Sequence, residues 1–224
     1  VAYQASDRSL LLTTPKGRQL AASFDEQGRP LHSELVDSGI WPLEQVYDEF
    51  GRLSEIAQGE GAERRLSSLH YDEQGFVDSL TDPLGRTVSF ARDDAGRVTA
   101  QTLPDGRVIQ FAWDDNDNLV GLTPPGRPEH LMDYGPVDEM ESYDPPDVGL
   151  PSDMTSYAYN LDRQLTKITR PDGATVDLSY QEDGRLQNIA HDDDSITLSH
   201  DDQGHVTAIA SVTDETRLDY EYDG

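Results

Sequence analysis

The amino-acid sequence predicts an all-β fold, in which consecutive antiparallel hairpins form a continuous ribbon. A short segment recurs along the chain every 20–24 residues, apart from one gap of 46. Apolar residues alternate with polar ones between the recurring segments, and this period of two is typical of half-buried strands. No segment keeps a helical period over about 12 residues, so we expect little helix.

The recurring segment has nine copies in this sequence. Each copy has the pattern aromatic, Asp, two variable residues and Gly, with aliphatic residues two and five places after the glycine. The copies begin at residues 24, 47, 71, 92, 113, 159, 180, 200 and 220, and seven of these nine residues are aromatic. A disordered acidic chain has no reason to keep such positions in phase. The predicted structural repeat positions include Tyr47, Gly51, Tyr71, Gly75, Gly96, Trp113, Tyr159, Tyr180, Gly184 and Gly204.

Two kinds of turn separate the predicted strands. In the first, Asp-x-x-Gly, the aspartate side chain can cap the turn and the glycine can adopt the positive φ that other residues resist. In the second, proline fixes the first φ of the turn and glycine ends it. Because both links are short, successive strands must lie side by side. The second turn is predicted at Pro83 and Gly85, at Pro104 and Gly106, and at Pro171 and Gly173.

Four residues depart from the repeat pattern. Arg92 and His200 stand at the aromatic position, and Asp117 and Arg163 stand at the glycine position. We expect these copies to have altered turns, because glycine is the residue that adopts a positive φ without strain.

The spacing of the copies divides the chain into four parts. Residues 1–23 form leading strands or a partial repeat, residues 24–122 and 159–224 are repeats, and residues 123–158 form a proline-rich extended insertion. Seven of the 13 prolines lie between Thr123 and Ser156. Proline disfavours the interior of both helices and strands. We therefore expect the insertion to interrupt the ribbon and to pack on its own side chains, which are Leu131, Tyr134, Val137, Met140 and Tyr143.

The charge of the chain limits its partners. Lys and Arg number 17 and Asp and Glu number 44, so the formal net charge is −27. Such a surface repels phosphate backbones and anionic lipids, which makes nucleic acid and membranes poor partners. The sequence has no apolar run long enough for a membrane helix and no signal-peptide pattern. The missing initiator Met indicates a fragment, whose open strand edges could pair in an edge-to-edge dimer.

The sequence offers few candidates for chemistry. Asp114–Asn118 resembles a calcium loop, but Leu119 and Pro125 stand where such a loop needs Gly and Glu, so an acidic turn is favoured. The segment 192–194, three aspartates, falls where a hairpin turn is expected. The absence of cysteine excludes thiolate metal sites and cysteine nucleophiles. The six histidines lack zinc spacing, and no nucleophile or phosphate motif occurs. We therefore expect no enzyme activity, no metal and no cofactor.

The repeat resembles the Rhs/YD-repeat family. The family's Tyr-Asp dipeptide stands at Tyr47-Asp48 and Tyr71-Asp72, with a degenerate form at residues 222–223. The frame Tyr-Asp-x-x-Gly-Arg-Leu…Pro-Asp-Gly covers roughly residues 24–224. The stretch Thr-Pro-Pro-Gly-Arg-Pro-x-His at residues 123–130 resembles bacterial Rhs proteins and points away from animal teneurins.

The resemblance implies a structural function. In this family the repeats wind a curved β-ribbon into a hollow shell that encloses a variable C-terminal toxin and is exported from the cell or displayed on its surface. An aspartyl self-cleavage signature, Asp-Pro-x-Gly…Asn-Pro, is absent here, so this chain would be a segment of the shell wall. Its partners would be neighbouring repeats and the toxin cargo.

The aromatic residues of the copies leave a second function open. Their rings could fill the space between strands, or they could face outward and stack on sugars as part of a cell-surface adhesin. Buried rings at Tyr47, Tyr71, Tyr159 and Tyr180 would favour the shell, whereas a row of exposed rings would favour the carbohydrate-binding module.

Overall fold

A computed structural model describes residues 2–146, 153–191, 194–211, 213 and 215–222 of the chain. Its regular structure within these residues consists of 21 β-strands and one short 3₁₀ turn at Gly61–Glu63. The predicted all-β fold is therefore confirmed. The chain divides into two compact units, residues 1–109 and residues 110–224.

The first unit is a meander in which each strand pairs antiparallel with the next strand in the chain. The predicted consecutive hairpins are confirmed here. Its strands are β1 (Ala2–Gln4), β2 (Ser9–Thr13), β3 (Gln19–Phe24), β4 (Pro30–Leu35), β5 (Leu43–Tyr47), β6 (Leu53–Gln58), β7 (Arg65–Tyr71), β8 (Val77–Thr81), β9 (Thr87–Arg92) and β10 (Val98–Thr102).

The second unit has the same order of pairing. Its first strand, β11, begins at Val108, two residues before the unit begins at residue 110. The strands are β11 (Val108–Trp113), β12 (Leu119–Thr123), β13 (His130–Tyr134), β14 (Met140–Asp144), β15 (Thr155–Tyr159), β16 (Leu165–Thr169), β17 (Thr175–Tyr180), β18 (Leu186–His191), β19 (Asp194–His200), β20 (Val206–Ser211) and β21 (Arg217–Asp219).

A β-bulge marks the start of every predicted copy from Phe24 to His200. Val46 pairs with Glu55 and Tyr47 pairs with Leu53, so Ser54 is the extra residue between them. The same one-residue shift occurs at Tyr71, Trp113, Tyr159 and Tyr180. The turn that follows has two backbone hydrogen bonds: Asp48 N–H donates to the Arg52 carbonyl at 2.9 Å, and Gly51 N–H donates to the Asp48 carbonyl at 3.0 Å. A three-residue hairpin loop that ends in a left-handed residue has this geometry.

The expectation of altered turns is wrong. The copies that begin at Arg92 and His200 have ordinary turns, with Gly96 and Gly204 at φ of 84° and 93°. The turns at Asp117 and Arg163 also keep the ordinary backbone. Both residues adopt the left-handed conformation, with φ of 68° and 64°. Each donates its N–H three residues back, Asp117 to Asp114 at 3.4 Å and Arg163 to Asn160 at 3.0 Å, as the glycines do. Aspartate tolerates this conformation better than most residues. The Arg163 side chain adds an ion pair with Glu139 and a hydrogen bond to the Val137 carbonyl.

The expectation that the proline-rich segment interrupts the strands is also wrong. Strands β13 and β14 lie within it and pair with β12 and β15. All of its described prolines lie outside the strands, where they remove no hydrogen bond from the sheet. Pro151 lies outside the described residues. The division of the chain at residues 23, 122 and 158 stays a prediction.

Within this segment, Tyr134 begins a tenth copy of the repeat. It pairs with Met140 across the same one-residue shift, and Asp138 has a φ of 63° in place of the usual glycine. Its turn is closed by the Gly135 N–H, which donates to the Glu139 carbonyl at 2.8 Å. The 46-residue gap in the sequence pattern thus contains a copy that lacks both Asp and Gly at their usual places.

Each hairpin has one apolar face and one polar face. The face that carries the residue at the start of the copy, called the aromatic face, also carries cross-strand pairs such as Leu178 with Ile189. The opposite face carries small polar pairs such as Ser179 with Asn188. Among the described residues the buried apolar side chains are Ala57, 3% exposed, and Ala208, 2% exposed. The other apolar side chains are at most half-buried, so contacts between neighbouring copies supply most of the packing.

Two glycines allow the left-handed turn to be tested with a matched control. Gly96 and Gly106 have φ of 84° and 82°. An added Cβ at Gly96 would lie 2.7 Å from Cζ of Phe76 in the preceding copy, whereas at Gly106 it would meet nothing within 4 Å. We expect Gly106→Ala to cost about 1 kcal/mol of unfolding free energy through backbone strain. Gly96→Ala should cost about 1–3 kcal/mol more through overpacking. Urea denaturation measures both, and equal costs would contradict the contact with Phe76.

Candidate functional site

Five of the tyrosines that begin copies connect their copy to the one before it. For comparison we number the starting residue of each copy 1, so that Asp is 2, Gly is 5, Arg is 6 and the first aliphatic residue is 7. The position 1 hydroxyl donates a hydrogen bond to the position 7 carbonyl of the preceding copy. The pairs are Tyr47 to Pro30 at 2.9 Å, Tyr71 to Leu53 at 2.7 Å, Tyr159 to Met140 at 2.9 Å, Tyr180 to Leu165 at 2.8 Å and Tyr222 to Val206 at 3.0 Å.

These hydrogen bonds also fix the place of the last copy. The sequence pattern begins it at Tyr220, but the hydroxyl that reaches back is that of Tyr222. At Tyr159, burial raises the pKa of the phenol, and the nearby Glu139 carboxylate raises it further. The Tyr159 hydroxyl therefore stays protonated and remains a donor.

Arg92 makes the position 1 contact with a guanidinium group. Its Nη2 donates to the Val77 carbonyl at 3.2 Å, and Val77 is position 7 of the preceding copy. Its Nη1 donates to the Gly96 carbonyl at 3.1 Å, and the group lies 5.1 Å from the centre of the Phe76 ring. The long cationic side chain thus spans the same gap as a tyrosine.

His200 does not make this contact. Its Nδ1 is buried and has no hydrogen-bond partner among the described residues. A buried polar atom without a partner costs free energy. We call the contact between consecutive copies a joint. The joint before His200 lacks the hydrogen bond that the five tyrosines named above make.

The position 6 side chain makes a second connection, in the opposite direction along the chain. The Arg52 guanidinium lies 4.3 Å from the centre of the Tyr71 ring in the next copy, while its Nε donates to the Asp48 carboxylate at 2.7 Å. Arg29 has the same relation to Tyr47, at 4.5 Å. A cation over an aromatic face contributes about 0.5–1 kcal/mol at exposed sites.

Other residues at position 6 reach the next turn through different chemistry. Gln164 donates to the Gly184 carbonyl at 2.8 Å, and Asn118 donates to the Asp138 carboxylate at 2.9 Å. Arg185 donates to the Asp201 carbonyl at 2.7 Å. Consecutive turns are therefore tied together within each unit. The sequence showed an arginine after many of the repeat glycines, but it did not reveal this connecting role.

The position 2 side chain holds the shape of its own turn. The Asp48 carboxylate accepts hydrogen bonds from the Phe50 and Arg52 N–H groups at 3.0 and 2.8 Å. Similar caps occur at Asp25, Asp93, Asp114, Asn160 and Asp201. At Asp93, the hydrogen bond from the Arg97 guanidinium lowers the pKa of the carboxyl group, against the smaller opposing effect of desolvation.

The acidic segments have structural contacts. Asp114, the first residue of the calcium-like segment, caps its turn, and no group of three or more His, Cys, Asp or Glu in the described residues could hold a metal ion. Asp192 and Asp193 lie outside the described residues. Asp194 begins β19 and accepts hydrogen bonds from Ser195 N–H and the Ser211 hydroxyl. The hairpin expected between Ile189 and Ile196 is confirmed by the pairing of β18 with β19, but Asp194 is a hydrogen-bonded strand residue rather than part of a solvated turn.

The glycines and prolines of the predicted repeat lie at the turns. Positive φ occurs at every predicted glycine, namely Gly51, Gly75, Gly85, Gly96, Gly106, Gly173, Gly184 and Gly204. Pro83, Pro104 and Pro171 each begin the second kind of turn, outside the strands.

Among the described residues, no helix is long and apolar enough to cross a membrane.

The five aromatic residues among the predicted structural repeat positions lie at the end of a strand, on the half-buried aromatic face, and they are Tyr47, Tyr71, Trp113, Tyr159 and Tyr180. Tyr220 is exposed and lies outside the strands. Tyr47, Tyr71, Tyr159 and Tyr180 are half-buried, and their hydroxyls are bonded to the backbone. These four rings are connections within the sheet rather than an exposed row.

The comparison with known families agrees with this repeat geometry. The family model described as teneurin YD-shell matches residues 1–224. The chain belongs to the teneurin YD-shell family. The resemblance to YD-repeat proteins is thereby confirmed, whereas the bacterial origin stays a prediction. No curated protein sequence was found to match the chain.

Solved structures with a similar fold include TcdB2-TccC3 proteins and a Tc holotoxin pore. The crystal structure of TcdB2-TccC3-TEV has 16% identity and a TM-score of 0.56, over 89% of this chain and 13% of that chain. The crystal structure of TcdB2-TccC3 and the Photorhabdus luminescens Tc holotoxin pore each have 16% identity and a TM-score of 0.54, over 91% of this chain and 12% of theirs. This likeness shows the fold, and the YD-shell chain spans about an eighth of the length of these solved chains.

The missing hydrogen bond at His200 can be restored. We expect the His200→Tyr hydroxyl to reach the Leu186 carbonyl, as Tyr180 reaches that of Leu165. The His200→Phe variant supplies a ring of similar size without the hydroxyl. The tyrosine variant should exceed the phenylalanine variant by about 1 kcal/mol in unfolding free energy, the usual value of one hydrogen bond. Equal stability in urea denaturation would contradict the proposed place of the contact.

The Asp93 cap should make stability depend on pH. The folded-state pKa of Asp93 is lowered, so its contribution is present above the unfolded value of about 3.9 and is lost as pH falls through the folded value. We expect Asp93→Asn to flatten the fall in unfolding free energy between about pH 5 and pH 3. Asn160 shows that an amide can cap the same turn.

The control for Asp93→Asn is Asp94→Asn, in the same turn. Asp94 is exposed and makes none of the described capping bonds, so this variant removes the same charge without touching the cap. Urea denaturation across the pH range compares both with the unmodified chain. If the unfolding free energy of the two variants changes equally with pH, Arg97 does not favour the ionised form of Asp93.

Proposed function

We propose that this YD-shell chain is a non-catalytic segment of a β-shell wall, and that the shell encloses the C-terminal toxin of a bacterial Rhs-type protein. The observation that carries the proposal is the tyrosine hydroxyl bond to the preceding copy, made by Tyr47, Tyr71, Tyr159 and Tyr180. A hydrogen bond between consecutive repeats stabilises a shell wall, and it does so regardless of what the shell encloses. Membership of the YD-shell family and the Tc fold likeness support the same function.

The proposed function sets the partners and the place of action. The partners are the neighbouring repeats of a longer parent protein and an enclosed toxin, and the protein acts after export or at the cell surface. The strands at the ends of the chain, β1 and β21, are short and exposed. Short edge strands limit unwanted pairing. The edge-to-edge dimer remains a prediction.

Protease protection of the natural full-length protein tests enclosure. We expect the domain that follows the repeats to resist a protease that digests the same domain expressed alone. Tyr71→Ala combined with Tyr47→Ala removes two joints and should raise the digestion rate at least severalfold. Tyr3→Ala is the control, because Tyr3 is 61% exposed. Digestion of the domain at the free rate in the unmodified protein would refute enclosure.

The competing function is outward display of the aromatic residues to glycans. The half-buried rings and their occupied hydroxyls argue against it. A glycan array probed with the isolated chain should show no binding. Binding that is lost when Tyr47 and Tyr71 are changed to Ala, with the fold intact by circular dichroism, would favour the adhesin.

A further inference from the structure

A groove opens between two consecutive turns of the second unit. One turn joins β13 to β14 and the other joins β15 to β16. The groove has a volume of about 580 Å³, and its apolar lining includes Pro136, Val137, Tyr157 and Leu161. We call it the turn groove. Val137 is 52% exposed and Leu161 is fully exposed.

The apolar tips of these two turns are unusual for this unit. The corresponding residues of the other three turns are polar, and they are Asp115 and Asn116, Glu182 and Asp183, and Asp202 and Gln203. A turn of this type accepts polar residues at its tip, so its backbone geometry does not require valine or leucine. Exposed apolar side chains that lie together in one groove make it a candidate binding surface.

The surroundings of the turn groove are acidic. Glu139 and Glu141 line it, and the same two turns carry Asp138 and Asp162. Arg163 pairs with Glu139, so one guanidinium faces four carboxylates. A second copy of this chain, with a formal charge of −27, would be repelled, and nucleic acid would be repelled for the same reason. The negative charge around the turn groove therefore favours a cationic ligand.

The turn groove also offers a free polar group. Tyr157 lines the groove, and its hydroxyl makes no hydrogen bond among the described residues. A phenol can donate to a backbone carbonyl or accept from a backbone N–H. A peptide chain supplies both.

We propose that the turn groove binds a basic polypeptide segment in which an apolar side chain stands between Lys or Arg residues. The apolar side chain contacts Val137 and Leu161, and the cations lie near Glu141 and Asp162. This inference does not depend on enclosure of a toxin, because it concerns one surface of the isolated chain. It would remain if the shell function failed.

Fluorescence anisotropy with labelled peptides tests the proposal on the whole 224-residue chain. The probes are Lys-Arg-Leu-Arg-Lys, its serine counterpart Lys-Arg-Ser-Arg-Lys, and the acidic Glu-Asp-Leu-Asp-Glu. We expect the leucine peptide to bind about tenfold more tightly than the serine peptide, because one apolar side chain is removed from water. The acidic peptide should not bind.

Two variants and a control locate the binding. Val137→Ser combined with Leu161→Ser should weaken the leucine peptide about tenfold and leave the serine peptide unchanged. Glu141→Gln combined with Asp162→Asn should weaken both basic peptides and reduce their salt dependence. Leu84→Ser is the control, since Leu84 is a 76% exposed turn residue in the first unit. It should change nothing.

Two results would overturn the proposal. If the leucine and serine peptides bind equally and the Val137 and Leu161 variant has no effect, the attraction is only that of a basic peptide to an acidic chain. If neither basic peptide binds, the groove is not a site for such segments. Circular dichroism of each variant confirms that the sheet is intact before binding is compared.

Discussion

The contact between one repeat and the next is the interaction on which this structure depends. A single hairpin has one apolar face, and in these units only two apolar side chains of the described residues are buried. Backbone pairing aligns the strands, but an isolated hairpin is marginally stable in water. The position 1 hydroxyl reaches back and the position 6 side chain reaches forward, as Tyr71 and Arg52 show. Each copy is thus held from both sides, which is how a repeat protein gains stability from its neighbours.

The contact between copies depends more on position in the repeat than on the type of residue at that position. Arg92 makes the contact of a tyrosine, Gln164 stands at the arginine position and also reaches the next copy, and Asp138 adopts the conformation of a glycine. Each of these residues matches the usual one in a single property: the length of the side chain, a hydrogen-bond donor, or a backbone that adopts a positive φ at the same position of the repeat. A wall built in this way can vary its sequence and keep its spacing. This freedom is consistent with identities of 16–17% to structures of similar fold.

The sequence predicted the hairpins because the residues that mark them act locally. A glycine at a positive φ and an aromatic residue at a bulge leave a signal in phase along the chain. Tyr134 was missed because its copy lacks the aspartate and the glycine at their usual places, although its backbone follows the same path. The turn at Arg163 was misjudged because its compensation comes from Glu139, 24 residues away. The turn groove was equally hidden, since it exists only when Val137 and Leu161 are brought together.

A double-mutant cycle between Arg52 and Tyr71 tests the joint most directly. The cycle compares Arg52→Ala, Tyr71→Leu and the double variant by urea denaturation, so that losses unrelated to the contact cancel. The account expects a coupling free energy of about 0.5–1 kcal/mol, the value of a cation over an aromatic ring. A coupling of zero, with both single variants folded, would show that Arg52 and Tyr71 do not stabilise each other, and would contradict the role given to this contact between copies.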